Sequence, residues 1–139
     1  MLLNRLLAEF RPLIAKTATA EPDTVERSAM ACELHSFYTG IENIFKQVAS
    51  ECDGSLPSGQ RWHRDLLDCV ARPGRNRPAV ISMPLRESLG TYLDFRHVFR
   101  QAYTLDLQWG KMRPLVAGID DTLRRLEAEL EQFLKSIGQ

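Results

Sequence analysis

Neither sign of charge dominates this chain. Lysine plus arginine and aspartate plus glutamate each number 18 in 139 residues. No global field draws it to nucleic acid or to a membrane surface, so any phosphate binding must come from a local patch. Long apolar runs are missing too, and those present fall far short of the ~20 residues a transmembrane helix needs. Cysteine is scarce: Cys32, Cys52 and Cys69 are odd in number and lack metal or redox spacing, which reads as reduced thiols in a cytosolic protein. No glycine-rich loop followed by lysine occurs, so a nucleoside triphosphate is not held in the usual phosphate-loop manner. There are no repeats and no low-complexity tract. Period-two alternation is confined to Pro78-Ala79-Val80-Ile81, too short to build a sheet on.

What remains is helical periodicity. With 44% hydrophobic and 26% charged residues, the composition is that of a globular domain, and the length suits one domain, residues 1–139, around a single core. Leu3, Leu6, Leu7, Phe10, Leu13 and Ile14 predict a first helix over about 2–18, kinked or interrupted at Pro12. This amphipathic start, without a small-residue cleavage site, does not read as a signal peptide. Asp23 or Thr24 caps a long second helix to about Cys52, with Val25, Met30, Leu34, Phe37, Tyr38, Ile41, Ile44, Phe45 and Val48 on its apolar stripe. Cys32 and Cys52 fall within that pattern and read as small buried hydrophobes. The loop 53–59 follows, then a short helix carrying Trp62, Leu66, Leu67 and Val70, then the loop Arg72-Pro73-Gly74-Arg75-Asn76-Arg77-Pro78 with three arginines and no acid. Ser82 and Pro84 start a fourth helix, apolar at Leu85, Leu89, Tyr92, Leu93, Val98 and Phe99 and ending near Tyr103. A fifth helix is expected from about Asp106 to Ile137, bent near Pro114, with Leu115, Ile119, Leu123, Leu126, Leu130, Phe133 and Leu134 buried. The fold class is all-α, an antiparallel bundle of about five helices.

The segment Phe95-Arg96-His97-Val98-Phe99-Arg100-Gln101-Ala102-Tyr103 concentrates the chemistry. At about 100° per residue, Arg96, Arg100 and Tyr103 share one stripe, while His97 and Gln101 stand one above the other beside it. Fixed positive charge and hydrogen-bonding groups on one ridge suit an RNA phosphodiester; an ordinary charged, exposed helix face shows the same pattern. The loop of Arg72, Arg75 and Arg77 offers a further phosphate track, or a solvated arginine loop. His35, beside Leu34, reads as a semi-buried, satisfied imidazole, and His63 as fixing the corner after Trp62. Only His97 has flanking guanidiniums. Glu33 and His35 are two apart, and His63 and Asp65 lack the spacing that projects ligands from facing helices. No metal and no other cofactor is expected.

Three stretches, in order, resemble HepT-like proteins of the HEPN superfamily. They are Leu34-His35-Ser36-Phe37-Tyr38-Thr39-Gly40-Ile41-Glu42, then Leu56-Pro57-Ser58-Gly59-Gln60-Arg61-Trp62-His63-Arg64-Asp65-Leu66-Leu67, then Phe95–Tyr103. The resemblance covers nearly the whole chain. It implies an α-helical, metal-independent ribonuclease that is the toxin half of a type VII-like toxin–antitoxin pair. It further implies a homodimer that brings two copies of the active segment into a cleft, and a small MntA-like nucleotidyltransferase as the antitoxin partner. The family's motif, an arginine, four to six residues and a histidine followed two residues later by tyrosine, falls on Arg96 and Tyr103, with Gln101 where the histidine stands. Glutamine can orient a hydroxyl or donate to a phosphate, but it exchanges no proton near neutral pH. The resemblance therefore assigns Arg96, His97, Arg100, Gln101 and Tyr103 to the catalytic segment. It also makes Tyr103 the site at which the antitoxin adds a nucleotide. The alternative is a catalytically weak HEPN subunit serving as a helical binding partner of the nucleotidyltransferase.

Overall fold

The computed structural model describes residues 2–101 and 107–138. Six α-helices form among them: α1 (Leu2–Thr17), α2 (Thr24–Val48), α3 (Trp62–Val70), α4 (Met83–Gln101), α5 (Trp109–Ala117) and α6 (Ile119–Ser136). No strand forms among the described residues, only an isolated antiparallel bridge between Gly74 and Arg77. The chain divides into two compact units, Met1–Gly40 with Thr91–Asp121, and Ile41–Gly90 with Thr122–Gln139.

In the first unit, α1 continues through Pro12 without the expected interruption. Leu3 and Leu7 are buried. A β-carbon at Gly40 would lie 2.6 Å from Leu3 Cδ2, so the glycine is what lets that leucine close against α2. The start of α2 is fixed by a reciprocal cap. Asp23 Oδ1 accepts from Glu26 N–H at 2.8 Å, and Glu26 Oε1 accepts from Asp23 N–H at 3.0 Å. Lys16 Nζ then reaches Glu26 at 2.6 Å, joining the last turn of α1 to the first of α2. Met30, Leu34, Phe37 and Tyr38 are buried as the periodicity requires, but Val25 is 77% exposed, because the capping turn points its face to solvent. Cys32 is exposed, not a buried hydrophobe.

The expected single C-terminal helix is two helices, and the break falls at Gly118, not at Pro114. Tyr92 Oη donates to Leu115 O at 2.7 Å, engaging the carbonyl that an uninterrupted helix would offer to residue 119. Gly118 N–H turns back to Pro114 O at 3.0 Å, and a β-carbon at Gly118 would meet that carbonyl oxygen at 3.2 Å. Pro114 itself sits inside α5.

In the second unit, α2 ends in a π-helical turn, Ala49–Asp53, closed by Gly54 at φ +73°. Only glycine adopts that left-handed conformation at no steric cost, so the helix stops there. The core is Ile41, Phe45, Leu66, Leu67, Val70, Leu85, Leu89, Leu126 and Phe133, each nearly or fully buried. Val70 O, at the end of α3, accepts from both Val80 and Ile81 N–H at 2.8 and 3.2 Å. This ties the short apolar segment, too short for a sheet, to the helix end. Ser82 Oγ accepts from Leu85 N–H and donates to Glu129, fixing the start of α4.

Candidate functional site

The last three turns of α4 build the ridge, all within the first unit. Phe95 is buried and Phe99 half-buried; their rings stack at 6.1 Å between centroids. Phe99 also meets the His35 imidazole of α2 at 5.7 Å. This aromatic seam sets the rotation of the helix, so Arg96 emerges half-buried at its margin while His97 and Arg100 face solvent. Val98, expected on the buried stripe, is 53% exposed, because at about 100° per residue it lies about a quarter turn from the Phe95–Phe99 face, on the side away from Leu89 and Leu93. Arg100 belongs to the last turn, where the partial negative charge of the helix end favours a guanidinium. Gln101 is the final residue of α4, and Tyr103 lies outside the described residues.

Other sequence-flagged residues occupy different places. His63 Nδ1 lies 2.7 Å from the buried Glu42 carboxylate, and its ring packs on Trp62 with centroids 3.6 Å apart. It therefore fixes the corner at the start of α3, as expected. Lys46 Nζ sits 4.5 Å over the Trp62 ring. Arg72 and Arg75 are exposed, whereas Arg77 is buried. The Arg77 guanidinium donates to both Asp53 oxygens at 2.8 and 2.9 Å and to the carbonyls of Arg72, Pro78 and Cys69. The expectation that Arg77 contacts nucleic acid directly is corrected accordingly: its donors hold the loop together. Asp53, beside that guanidinium, is held below the usual carboxylate range chiefly by the hydrogen bonds from Arg77. The Cys69 thiol is pushed up by burial and then by Asp53.

Sequence reasoning passed over Glu33, whose only apparent interest was its failure to pair with His35 as a metal ligand. It is 2% exposed, and among the described residues its buried Oε1 has no hydrogen-bond partner. Burial, and then the nearby Asp120 charge, push its carboxyl up to about 8. An acid among Ala31, Leu34 and the apolar stripe is the signal that could have found it. Among the described residues no three His, Cys, Asp or Glu side chains gather into a cation-sized cluster. No described helix is long and apolar enough to cross a membrane.

The model of the HepT-like protein family matches residues 29–137, from the first turns of α2 to the end of α6, including the whole ridge. The chain belongs to the HepT-like family. Neither curated proteins nor solved structures give a match. In this HepT-like chain, two positively charged side chains and an imidazole stand on one helix end braced by an aromatic seam. Such an arrangement can grip a phosphodiester through charge-assisted hydrogen bonds and present an imidazole to a ribose hydroxyl.

Proposed function

We propose that this HepT-like chain, acting as one domain, is the toxin of a two-component module: a metal-independent endoribonuclease of the cytoplasm, active as a homodimer. The observation that carries the reading is the presence of Arg96, His97 and Arg100 together on the C-terminal turns of α4 in a chain of the HepT-like family. In the proposed reaction, the ribose 2′-OH attacks the adjacent phosphorus, a 2′,3′-cyclic phosphate forms, and the 5′-oxygen departs with a proton. Arg96 and Arg100 neutralise the non-bridging oxygens as charge accumulates on phosphorus. His97, or a histidine of the second copy, takes the 2′-OH proton, and Gln101 and Tyr103 position the scissile phosphate. The partner is an MntA-like nucleotidyltransferase antitoxin that neutralises the toxin, by adding a nucleotide to Tyr103. The added phosphate would set negative charge against Arg96 and Arg100 and compete with RNA.

Gln101 favours a second reading, an accessory HEPN subunit whose chemistry is lost for want of a proton-transferring group at that position. Incubating the purified chain with single-stranded RNA in excess chelator separates the two. The toxin reading predicts fragments ending in a 2′,3′-cyclic phosphate, abolished by Arg96→Ala. Intact RNA at high enzyme, with tight binding to the nucleotidyltransferase, would support the accessory reading.

A further inference from the structure

The ribonuclease reading makes no use of a cleft in the second unit, between the Cys52–Asp53 turn and the Arg72–Arg77 loop. Its volume is about 530 Å³, within the range of small-ligand pockets, roughly 300–1,000 Å³, and more than a bare anion fills. The loop is wound around one buried guanidinium. Gly74 N–H donates to Arg77 O at 3.0 Å, Arg77 Nη1 donates to Arg72 O and Pro78 O at 2.9 and 3.1 Å, and a β-carbon at Gly74 would lie 3.1 Å from the guanidinium. Asp53 cancels the Arg77 charge through two parallel hydrogen bonds. The other two arginines stay uncancelled. Arg72 donates Nε to Asp68 O at 3.3 Å, and among the described residues neither Arg72 nor Arg75 forms an ion pair.

A closed loop thus holds two uncompensated guanidiniums on one cleft, beside the Asn76 amide. The planar guanidinium fork matches phosphate oxygens two at a time, and a site already shaped loses little ordering entropy on binding. We propose that this cleft binds a phosphate group carried on a nucleotide-sized ligand, gripped by Arg72 and Arg75, with the Arg77–Asp53 pair holding the loop in shape. The residues lie outside Phe95–Tyr103, so the inference stands or falls apart from ribonuclease activity. The same phosphate chemistry arrives on a free nucleotide or on an RNA strand, and the test separates these sources.

Cys52 and Cys69 line the cleft, Cys69 Sγ lying 3.6 Å from Arg77 Nη2, so an occupant shields both thiols. Cys32, exposed in the first unit, serves as an internal control. Alkylation of the full chain at constant ionic strength is followed by peptide mass spectrometry with inorganic phosphate, ADP or a short single-stranded oligoribonucleotide, alongside calorimetric titration. The expected result is slower alkylation of Cys52 and Cys69, but not Cys32, by ADP or by the oligonucleotide. Arg72→Ala with Arg75→Ala should weaken binding by about tenfold or more and leave the melting temperature unchanged. Protection by ADP identifies a free nucleotide; protection by the oligonucleotide alone identifies a strand. Equal protection by inorganic phosphate would overturn the nucleotide-sized ligand. Unchanged alkylation with all three probes, or protection that survives the double substitution, would overturn the site itself.

Discussion

Glu33 is a carboxyl that the fold keeps as an acid. Its ordinary value near 4.5 rises to about 8 because the charged form would sit buried beside Asp120. Below about pH 4.5 it is protonated in both folded and unfolded chains, and its ionisation costs the fold nothing. Between 4.5 and 8 the unfolded chain releases a proton that the folded chain keeps, so stability falls as pH rises, and the loss is complete above about 8. Glu33→Gln, neutral at every pH, should therefore stabilise by about 1–3 kcal/mol at pH 8 and by little at pH 5. Thermal melts of both proteins across this range check it, and a pH-independent difference would refute it. Asp53 behaves oppositely. Its lowered carboxyl contributes stability that is fully present above the ordinary carboxylate value and is lost as pH falls below that value and through the lowered one. Asp53→Asn leaves the Arg77 guanidinium, whose side chain is 1% exposed, without its counter-charge. A loss of about 2–4 kcal/mol in denaturant unfolding at pH 7 is expected. Local signals in the sequence were legible: Asp23 as a cap and His63 as a corner hydrogen-bonding group both read from their immediate neighbours. Arg77 was not, because its partner lies 24 residues away and three arginines in one loop look alike until one is buried. Cys32 was missed because a small side chain on the margin of an apolar stripe fits either side.

Helices with strong periodicity between clear turn signals were legible in outline. Trp62–Val70 and the start of α4 after Ser82 stand where the apolar spacing and turn residues put them. The division of the C-terminal helix was not, since proline looked like the breaker and the real cause is non-local. Tyr92 reaches Leu115 O from another helix, and Gly118 accommodates the turn. Tyr92→Phe should cost about 1–2 kcal/mol by leaving that buried carbonyl without its donor, read from urea unfolding. The contact of α1 with α2 is equally specific. Gly40→Ala would drive a β-carbon to 2.6 Å from Leu3 Cδ2, so that leucine must shift, and the overpacking offsets the helix-propensity gain of alanine for a net loss of about 1 kcal/mol. Combining it with Leu3→Ala should recover part of that loss, a coupling that a double-mutant cycle measures. Strict additivity would show that the two residues do not meet.

For the molecule as a whole, membership of the HepT-like family and an all-helical build among the described residues place the chain in its class. Both were readable from the apolar periodicity and the three separated motifs. The ridge was readable as a pattern, but the seam that orients it was not. Which faces of α4 reach solvent depends on Phe95 and Phe99 packing toward His35, a contact across about 60 residues of sequence that no local spacing encodes. The proposed ribonuclease activity turns on Gln101, since loss of acid–base assistance costs on the order of 10²–10⁴ in rate. The most direct measurement is inducible expression in bacteria of the chain, its Arg96→Ala variant and its Gln101→His variant, with growth and RNA integrity followed over time. Growth arrest and RNA cleavage by the chain are expected, abolished by Arg96→Ala and strengthened by Gln101→His. Intact RNA and unimpaired growth with both the chain and Gln101→His would contradict it.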